Sequence, residues 1–215
     1  MQYYLCERKL KPAEELGTKI FFTVNAFDIT TSDPIIYYYG STNGDTYINY
    51  DETGTQGFEA GFKYKHRQYD ISTNYSFYSV QNKRALDIYS VPYNDNALLA
   101  FPVHKVNLLL NHRLFSTCYL HTSVSFYGPR YGITSYNESS DEVQYKKFSS
   151  YVIADAGFSY KNLFLKNLEA SVSVHNVFDK KDMYIQLYNS LHAPLPANNR
   201  EFSLTLRYRI AFENK

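Results

Sequence analysis

Apolar and polar side chains alternate residue by residue through most of this sequence, and few architectures tolerate that pattern. From Tyr69 every second residue reads Tyr69, Ile71, Thr73, Tyr75 and Phe77, with Asp70, Ser72, Asn74 and Ser76 between them. From Cys118 one set is Leu120, Thr122, Val124 and Phe126, and the other Tyr119, His121, Ser123 and Ser125. Leu168, Ala170, Val172 and Val174 oppose Glu169, Ser171, Ser173 and His175. Phe202, Leu204, Leu206, Tyr208, Ile210 and Phe212 oppose Ser203, Thr205, Arg207 and Arg209. Successive side chains of a strand point to opposite faces, so each segment reads as a strand with one apolar and one polar face. Similar patterns begin near Ile20, Phe58, Val106 and Val152, which makes about eight strands by the period-two test. No segment carries a sustained helical stripe.

Strand length and connection length narrow the choice among all-β folds. The strands run about 10–14 residues, longer than the roughly 5–6 of globular sheets and close to the 9–11 that a tilted strand needs to cross a bilayer. Lys65–Arg67, Leu114–Ser116 and Lys161–Phe164 read as tight turns, while long polar stretches lie near 41–54, 81–100, 132–147 and 179–198. Short turns at one end and long loops at the other describe a barrel threaded through a membrane. A small, complete eight-stranded barrel with an anchor or adhesion role, and a secreted β-sandwich binding module, stay open as alternatives.

Composition fits the same picture. The chain of 215 residues carries 23 Tyr and 15 Phe but no Trp, and 22 Lys+Arg nearly cancel 21 Asp+Glu. Near-neutrality leaves no excess of one sign for a nucleic-acid groove, so no nucleic-acid partner is expected. Tyr75, Phe77, Tyr78, Phe126 and Tyr127 cluster towards one end of their strands, and Tyr208 and Phe212 towards the other. Rings at both strand ends match the girdles of a membrane barrel, where an amphipathic ring keeps its polar edge wet. Cys6 and Cys118 are too few for a disulfide framework and lack metal-site spacing. His66, His104, His112, His121, His175 and His192 show no metalloprotease spacing, and no serine elbow or phosphate loop appears. Neither a catalytic centre, nor a metal, nor a cofactor is expected.

Several segments resemble TonB-dependent outer-membrane receptors. Glu169-Ala-Ser-Val-Ser-Val-His-Asn-Val-Phe-Asp-Lys-Lys-Asp-Met-Tyr184 is similar to the family's penultimate strand with its Asn-Leu-Phe-Asp-Lys ending. Pro194-Leu-Pro-Ala-Asn-Asn-Arg200 before Phe202 resembles the approach to its final strand, with Asn199-Arg200 where the family has Gly-Arg. Leu10-Lys-Pro-Ala-Glu-Glu-Leu-Gly17, Thr23–Ile29 with Asp33–Tyr37, and Tyr47–Tyr50 with Thr53–Glu59 resemble mid-barrel stretches, in the family's order. The resemblance implies an all-β antiparallel transmembrane barrel in which residues 1–215 form about eight strands of a 22-stranded whole, without the plug domain. It also implies residence in the outer membrane of a Gram-negative bacterium. The implied function is ligand-gated uptake of a scarce large solute such as a metal chelate (a siderophore), cobalamin or an oligosaccharide. Implied partners are outer-membrane lipid, the missing N-terminal barrel and plug segment, and the energy-coupling TonB system.

Candidate residues follow from position. Glu59, Lys63, Lys65, Arg113, Glu169, His175, Arg207 and Arg209 share strand faces with small polar residues and are candidates for a lumen. Tyr89, Tyr93, Tyr131, Tyr136, Tyr184, Tyr188 and His192 lie in long loops, where exposed rings stack on a solute. Asn176, Phe178, Asp179 and Arg200 bracket the last long loop and read as structural.

Overall fold

The computed structural model describes residues 2–9, 17–38, 46–80, 89–137, 142–185 and 194–210. All regular elements among them are strands apart from one short helical turn at Tyr89. The principal sheet contains β1 (Gln2–Lys9), β2 (Thr18–Ser32), β5 (Glu52–His66), β6 (Tyr69–Ser79), β7 (His104–Arg113) and β8 (Cys118–Tyr127). It continues through β11 (Tyr151–Lys161), β12 (Leu168–His175) and β15 (Glu201–Tyr208). These nine strands are antiparallel neighbours in chain order. The eight alternating segments of the sequence are all present; β1 is the additional strand.

Register places the alternation in space. Paired residues of an antiparallel ladder point to the same side. Phe22, Phe62, Thr73, Leu108, Val124 and Ala154 therefore form one row of an apolar face. Phe202, Leu204 and Leu206 continue that face through Val174, Val172 and Ala170. Among the described residues no second layer covers it: Phe202, Leu204 and Leu206 are 75%, 69% and 66% exposed. Leaving such side chains in water forgoes about 1.5–3 kcal/mol each, so this face is built for an apolar surrounding. Its rings gather towards the strand ends. Phe58 lies 5.4 Å from Tyr75 and 5.6 Å from Phe77, and Phe77 lies 5.2 Å from His104, at the long-loop end. Tyr69 stacks on His112 at 4.2 Å at the short-turn end.

The short turns are strained in ways the sequence allows. Arg67 takes φ 32° between β5 and β6, and Asn162, Phe164 and Asn167 all have positive φ between β11 and β12. Asn167 N–H donates to Asn162 Oδ1 at 2.9 Å, the local side-chain bond that makes Asn tolerant of such turns.

The long connections differ from plain polar loops. The first spans residues 33–51 rather than 41–54, because β5 starts at Glu52 and pairs there with Ser32. It holds the hairpin β3 (Ile35–Tyr38) and β4 (Thr46–Asn49). The hairpin β9 (Arg130–Asn137) and β10 (Glu142–Phe148) follows β8, and β13 (Met183–Tyr184) pairs β14 (Leu195–Pro196) before β15. Val91, Ala97, Leu99 and Ile133 are buried together where the 89–103 segment meets β9. The principal buried cluster thus sits among the loops, above the sheet's end.

Gly57 leaves no room for a side chain between its neighbours: an added Cβ would run into the Phe77 carbonyl oxygen and come within 2.7 Å of Phe27 and 2.9 Å of Tyr78. Gly57→Ala should lower stability by about 1–3 kcal/mol, as overpacking does. The check is the urea midpoint of the chain refolded in detergent, with Ala60→Gly as the in-strand control, expected to lose only about 0.5–1 kcal/mol.

Candidate functional site: the polar face and its loop end

The other face of the sheet is polar, and its side chains bond across strands. On β7 and β8, Asn111 Oδ1 lies 2.7 Å from His121 Nδ1, and Ser125 Oγ donates to Asn107 Oδ1 at 3.0 Å. His121 Nε2 reaches Ser159 Oγ on β11 at 3.1 Å. Asp155 is the hub of the next group. Its Oδ2 accepts from Ser123 at 2.7 Å, and its Oδ1 accepts from the Asn176 backbone at 2.9 Å and from His175 Nδ1 at 2.7 Å. Ser173 and Ser203 close the series between β12 and β15 at 2.6 Å. Side-chain rungs therefore run across five strands on a face with few aliphatic residues. Leu109, Asn111, His121, Asp155, Ser159 and His175 are among the residues lining an open concavity of about 570 Å³.

Ser159, His121 and Asn111 form a serine–imidazole–amide chain, so its chemistry must be weighed. A nucleophile needs donors aimed at a developing oxyanion. Here β11 is paired on both sides at Ser159, with β8 and with β12, which commits the neighbouring amides to the ladders. Ser123 bonds Asp155 rather than an imidazole. The arrangement orders strands; it does not assemble acyl transfer. Among the described residues no group of three or more His, Cys, Asp or Glu converges as a metal site.

The lumen candidates of the sequence fall on this one face. Glu59, Lys63 and Lys65 pair with Ser76, Ser72 and Asp70. Arg113 pairs with Tyr119, Glu169 with Arg207, and His175 with Glu201. Arg209 lies just past β15, its N–H bonded to the Asn167 carbonyl at 3.1 Å.

Of the loop candidates, Tyr89, Tyr93 and Tyr131 lie in the 89–103 segment and the β9 strand it meets, and Tyr184 lies in β13. Tyr93 and Tyr184 are exposed, at 91% and 57%. Tyr131 sits in β9, its Oη accepting from Asn94 Nδ2 at 3.3 Å with Lys147 Nζ 5.8 Å from its ring. Tyr89 is half-buried, its carbonyl bonded by Leu99 N–H at 2.9 Å. Only the backbone of Tyr136 is described, in β9, while Tyr188 and His192 lie outside the described residues.

Asn176, Asp179 and Arg200 form a clasp. Asn176 is 1% exposed, and its Oδ1 accepts from Lys180 N–H at 2.8 Å. Its Nδ2 donates to the carbonyls of Lys180 at 3.0 Å and Asn198 at 3.4 Å. Both Asn176 (φ 52°) and Asp179 (φ 50°) occupy the left-handed region, which short polar side chains tolerate. Asp179 Oδ1 accepts from Arg200 N–H at 3.0 Å, tying the end of β12 to the start of β15. Phe178, between them, is 71% exposed. The bond from Arg200 N–H, helped by Lys181, holds the Asp179 carboxyl below its ordinary value of 3.8.

Sequence reasoning missed the Asp155 hub and a loop ion pair, Arg130 to Asp182 at 2.7 Å, beneath which Tyr151 presents its ring 4.6 Å from the guanidinium. The available signal for the first was a lone carboxylate among the small residues of Asp155, Gly157 and Ser159.

With this geometry in view, the comparisons define the class. A family model described as TonB dependent receptor-like, beta-barrel, matches residues 15–177, and the chain belongs to that family. Its fold is similar to the ferripyoverdine receptor of the outer membrane of Pseudomonas aeruginosa, at TM-score 0.67 and 15% identity, over 89% of this chain and 26% of that one. It is also similar to the ferric-catecholate import receptor Fiu from E. coli K12, at TM-score 0.63 and 16% identity, over 88% and 25%. The siderophore receptor PirA from Acinetobacter baumannii aligns at TM-score 0.63 and 17% identity, over 92% and 30%. The chain thus spans between 25% and 30% of the length of these receptors. No curated protein sequence matches it.

Two outcomes test the clasp. Asn176→Ala strands the Lys180 and Asn198 groups and should cost about 2–4 kcal/mol, read from unfolding in detergent. The depressed Asp179 pKa means its stabilising contribution is present above the ordinary carboxylate range and lost as pH falls through the lowered value. Hydrogen-exchange protection of the Arg200 amide, corrected for intrinsic rate, should therefore persist through the ordinary carboxylate value of 3.8 and collapse only as pH falls through the lowered one. In Asp179→Asn it should be weak at all pH values.

Proposed function

We propose that this chain is the C-terminal part of the barrel of an outer-membrane TonB-dependent receptor that takes up a scarce large solute, with a siderophore-type metal chelate the preferred class. The observation that carries this is the two-faced, single-layer sheet: an uncovered apolar face with rings at both strand ends, and a polar face of cross-strand rungs. Lipid supplies the second layer for the first face, and the second borders the lumen, with Glu59, Lys63, Lys65, Arg113, Glu169, His175 and Arg207 on it. The exposed loop rings Tyr93 and Tyr184 are the solute-contact candidates.

The sheet's ends support a larger barrel over a small complete one. Among the described residues β1 and β15 each have one neighbour, and with nine antiparallel strands in chain order these two run parallel. Single-chain bacterial barrels of this kind close with even strand numbers. A sandwich requires a second sheet facing the first, and the apolar face has none among the described residues. The rest of the barrel, a plug and the TonB coupling system are the partners this reading requires. Relatives named as receptors for ferripyoverdine, ferric catecholates and siderophores support the solute class.

The test reads β15 residue by residue in the outer membrane of cells that make the protein. Single cysteines at Ser203, Thr205 and Arg207 should react with a membrane-impermeant maleimide after outer-membrane permeabilisation, whereas those at Leu204 and Leu206 should not. Leu204→Lys, mid-strand, should block assembly at a cost of about 2–4 kcal/mol, while Thr205→Lys is tolerated. Equal labelling along the strand would sink the reading. Loss of growth on iron chelates as sole iron source, on deleting the gene, tests the solute class.

A further inference from the structure

One concavity lies on the opposite side of the sheet from the polar rungs. Its strand residues are Gln56 of β5, Phe77 and Ser79 of β6, and His104 of β7. Gln56 pairs with Ser79, Phe58 with Phe77, and Phe77 with His104, so all four stand on the apolar face. They mark its loop end, where the rings of Phe58, Tyr75, Phe77 and His104 gather. The remaining wall comes from the loops, chiefly Asn94 and Asn96 of the 89–103 segment, Tyr131 of β9 and Lys147 of β10. The space measures about 430 Å³, and small-molecule sites commonly hold about 300–1,000 Å³.

The chemistry of the wall changes along the strand axis. Nearest the sheet it is aromatic, with Phe77 and His104 5.2 Å apart. Towards the loops it is made of amides, hydroxyls and an ammonium group. Ser79 Oγ donates to Asn96 Oδ1 at 3.3 Å, Asn96 N–H donates to Asn94 Oδ1 at 3.2 Å, and Asn94 Nδ2 donates to Tyr131 Oη. Groups held in place beforehand lower the ordering cost of binding. Amides and hydroxyls both donate and accept, which is what the hydroxyls of a sugar require. Lys147 is exposed, its Nζ 5.8 Å from the Tyr131 ring, and adds positive charge. Among the described residues lining the space none is a carboxylate, and Asp95, between the two asparagines, does not line it. Such a wall suits an anionic sugar.

Position selects the source of that sugar. A solute crossing the barrel meets the polar face, whereas this space opens on the face that the proposed function gives to lipid. Rings at strand ends lie at headgroup depth, and long loops mark the outer side of the membrane. A headgroup seated here continues into acyl chains along the exposed Phe58 and the side chains below it. A free sugar has no use for that apolar continuation. We infer that Gln56, Ser79, Asn94, Asn96, Tyr131 and Lys147 form a site for the anionic saccharide headgroup of an outer-leaflet glycolipid, whose acyl chains run down the apolar face past Phe77. The inference rests on the proposed receptor function and adds to it a lipid site on the outer wall.

The test uses the 215-residue chain in detergent micelles, with short-chain lipopolysaccharide as the probe and native mass spectrometry to count bound lipid. Binding should saturate with a single tight site. Lys147→Glu should weaken it by roughly tenfold, the scale of replacing a cation with a repelling charge at an anionic headgroup. Lys147→Gln should weaken it less. Lys146→Glu makes the same charge change on the other side of β10 and should leave binding unaltered, since successive side chains of a strand point oppositely. Both lysines are exposed, so neither change burdens folding. Equal loss in the Lys146 and Lys147 variants, the mark of diffuse charge attraction, overturns the inference. So does equally tight binding of phosphatidylglycerol, which carries the charge without the sugar. Displacement of the lipid by stoichiometric glucosamine 1-phosphate overturns it too, because the site would then belong to a free sugar phosphate. Labelling along β15 reports separately which face meets lipid. A normal labelling pattern with failed lipopolysaccharide binding sinks the headgroup site alone, and a failed labelling pattern sinks the receptor reading.

Discussion

Backbone hydrogen bonding is the constraint on which everything else in this sheet depends. Seven of its strands are paired on both sides, while β1 and β15 have a partner on one side each among the described residues. In apolar surroundings every unmade bond costs several kcal/mol, so the two edges are the costliest places in the sheet. The same ladder fixes which side chains share a face, and hence why one face can be apolar without a core to cover it. Closely spaced strands also explain Gly57: where β5 and β6 meet, there is no room for a Cβ.

The polar face shows what small side chains contribute. Ser, Asn and His do little to fill space, yet they bridge neighbouring strands, as Ser123, Asp155 and His175 do across β8, β11 and β12. Such rungs resist sliding of one strand past the next, because a slip of one residue would carry each of them to the apolar side. Charge is arranged on a longer scale: Lys19, Lys63, Lys65 and Arg67 stand together at the short turns, while the loop end carries both signs, as in the pairs of Arg130 with Asp182 and Lys181 with Asp179.

Eight strands were legible because a buried-or-lipid face on one side forces period-two alternation, as in Tyr69–Phe77 or Phe202–Tyr208. β1 was not, since Tyr3-Tyr4-Leu5-Cys6 is uniformly apolar and Glu7-Arg8-Lys9 uniformly charged. Gly54 and Gly57 made the start of β5 look like a loop, although Gly57 sits where a Cβ would meet β6. The Asp155 hub was invisible for another reason: Ser123 is 32 residues away, and only register brings it opposite. Lys63 and Lys65 could be read as a pair on one strand, but Lys19 joins them only through the pairing of β2 with β5. Loop residues such as Tyr131 carried no signal for their partners, because Asn94 lies 37 residues away and meets it only where the 89–103 segment packs on β9.

The clasp around Asn176 bears on how the last strand finds its place. Between β12 and β15 lies one of the longest connections in the chain, and closing a long loop ordinarily spends entropy before any strand pair forms. Because Asn176 and Asp179 hold Asn198 and Arg200 directly, the two strand ends meet through a few bonds, whatever the intervening residues do. For pairing, the connection acts as a short one. Beyond the clasp, the Arg130–Asp182 pair and the β13–β14 hairpin, the register of the last strand then asks little of what the loop is made of.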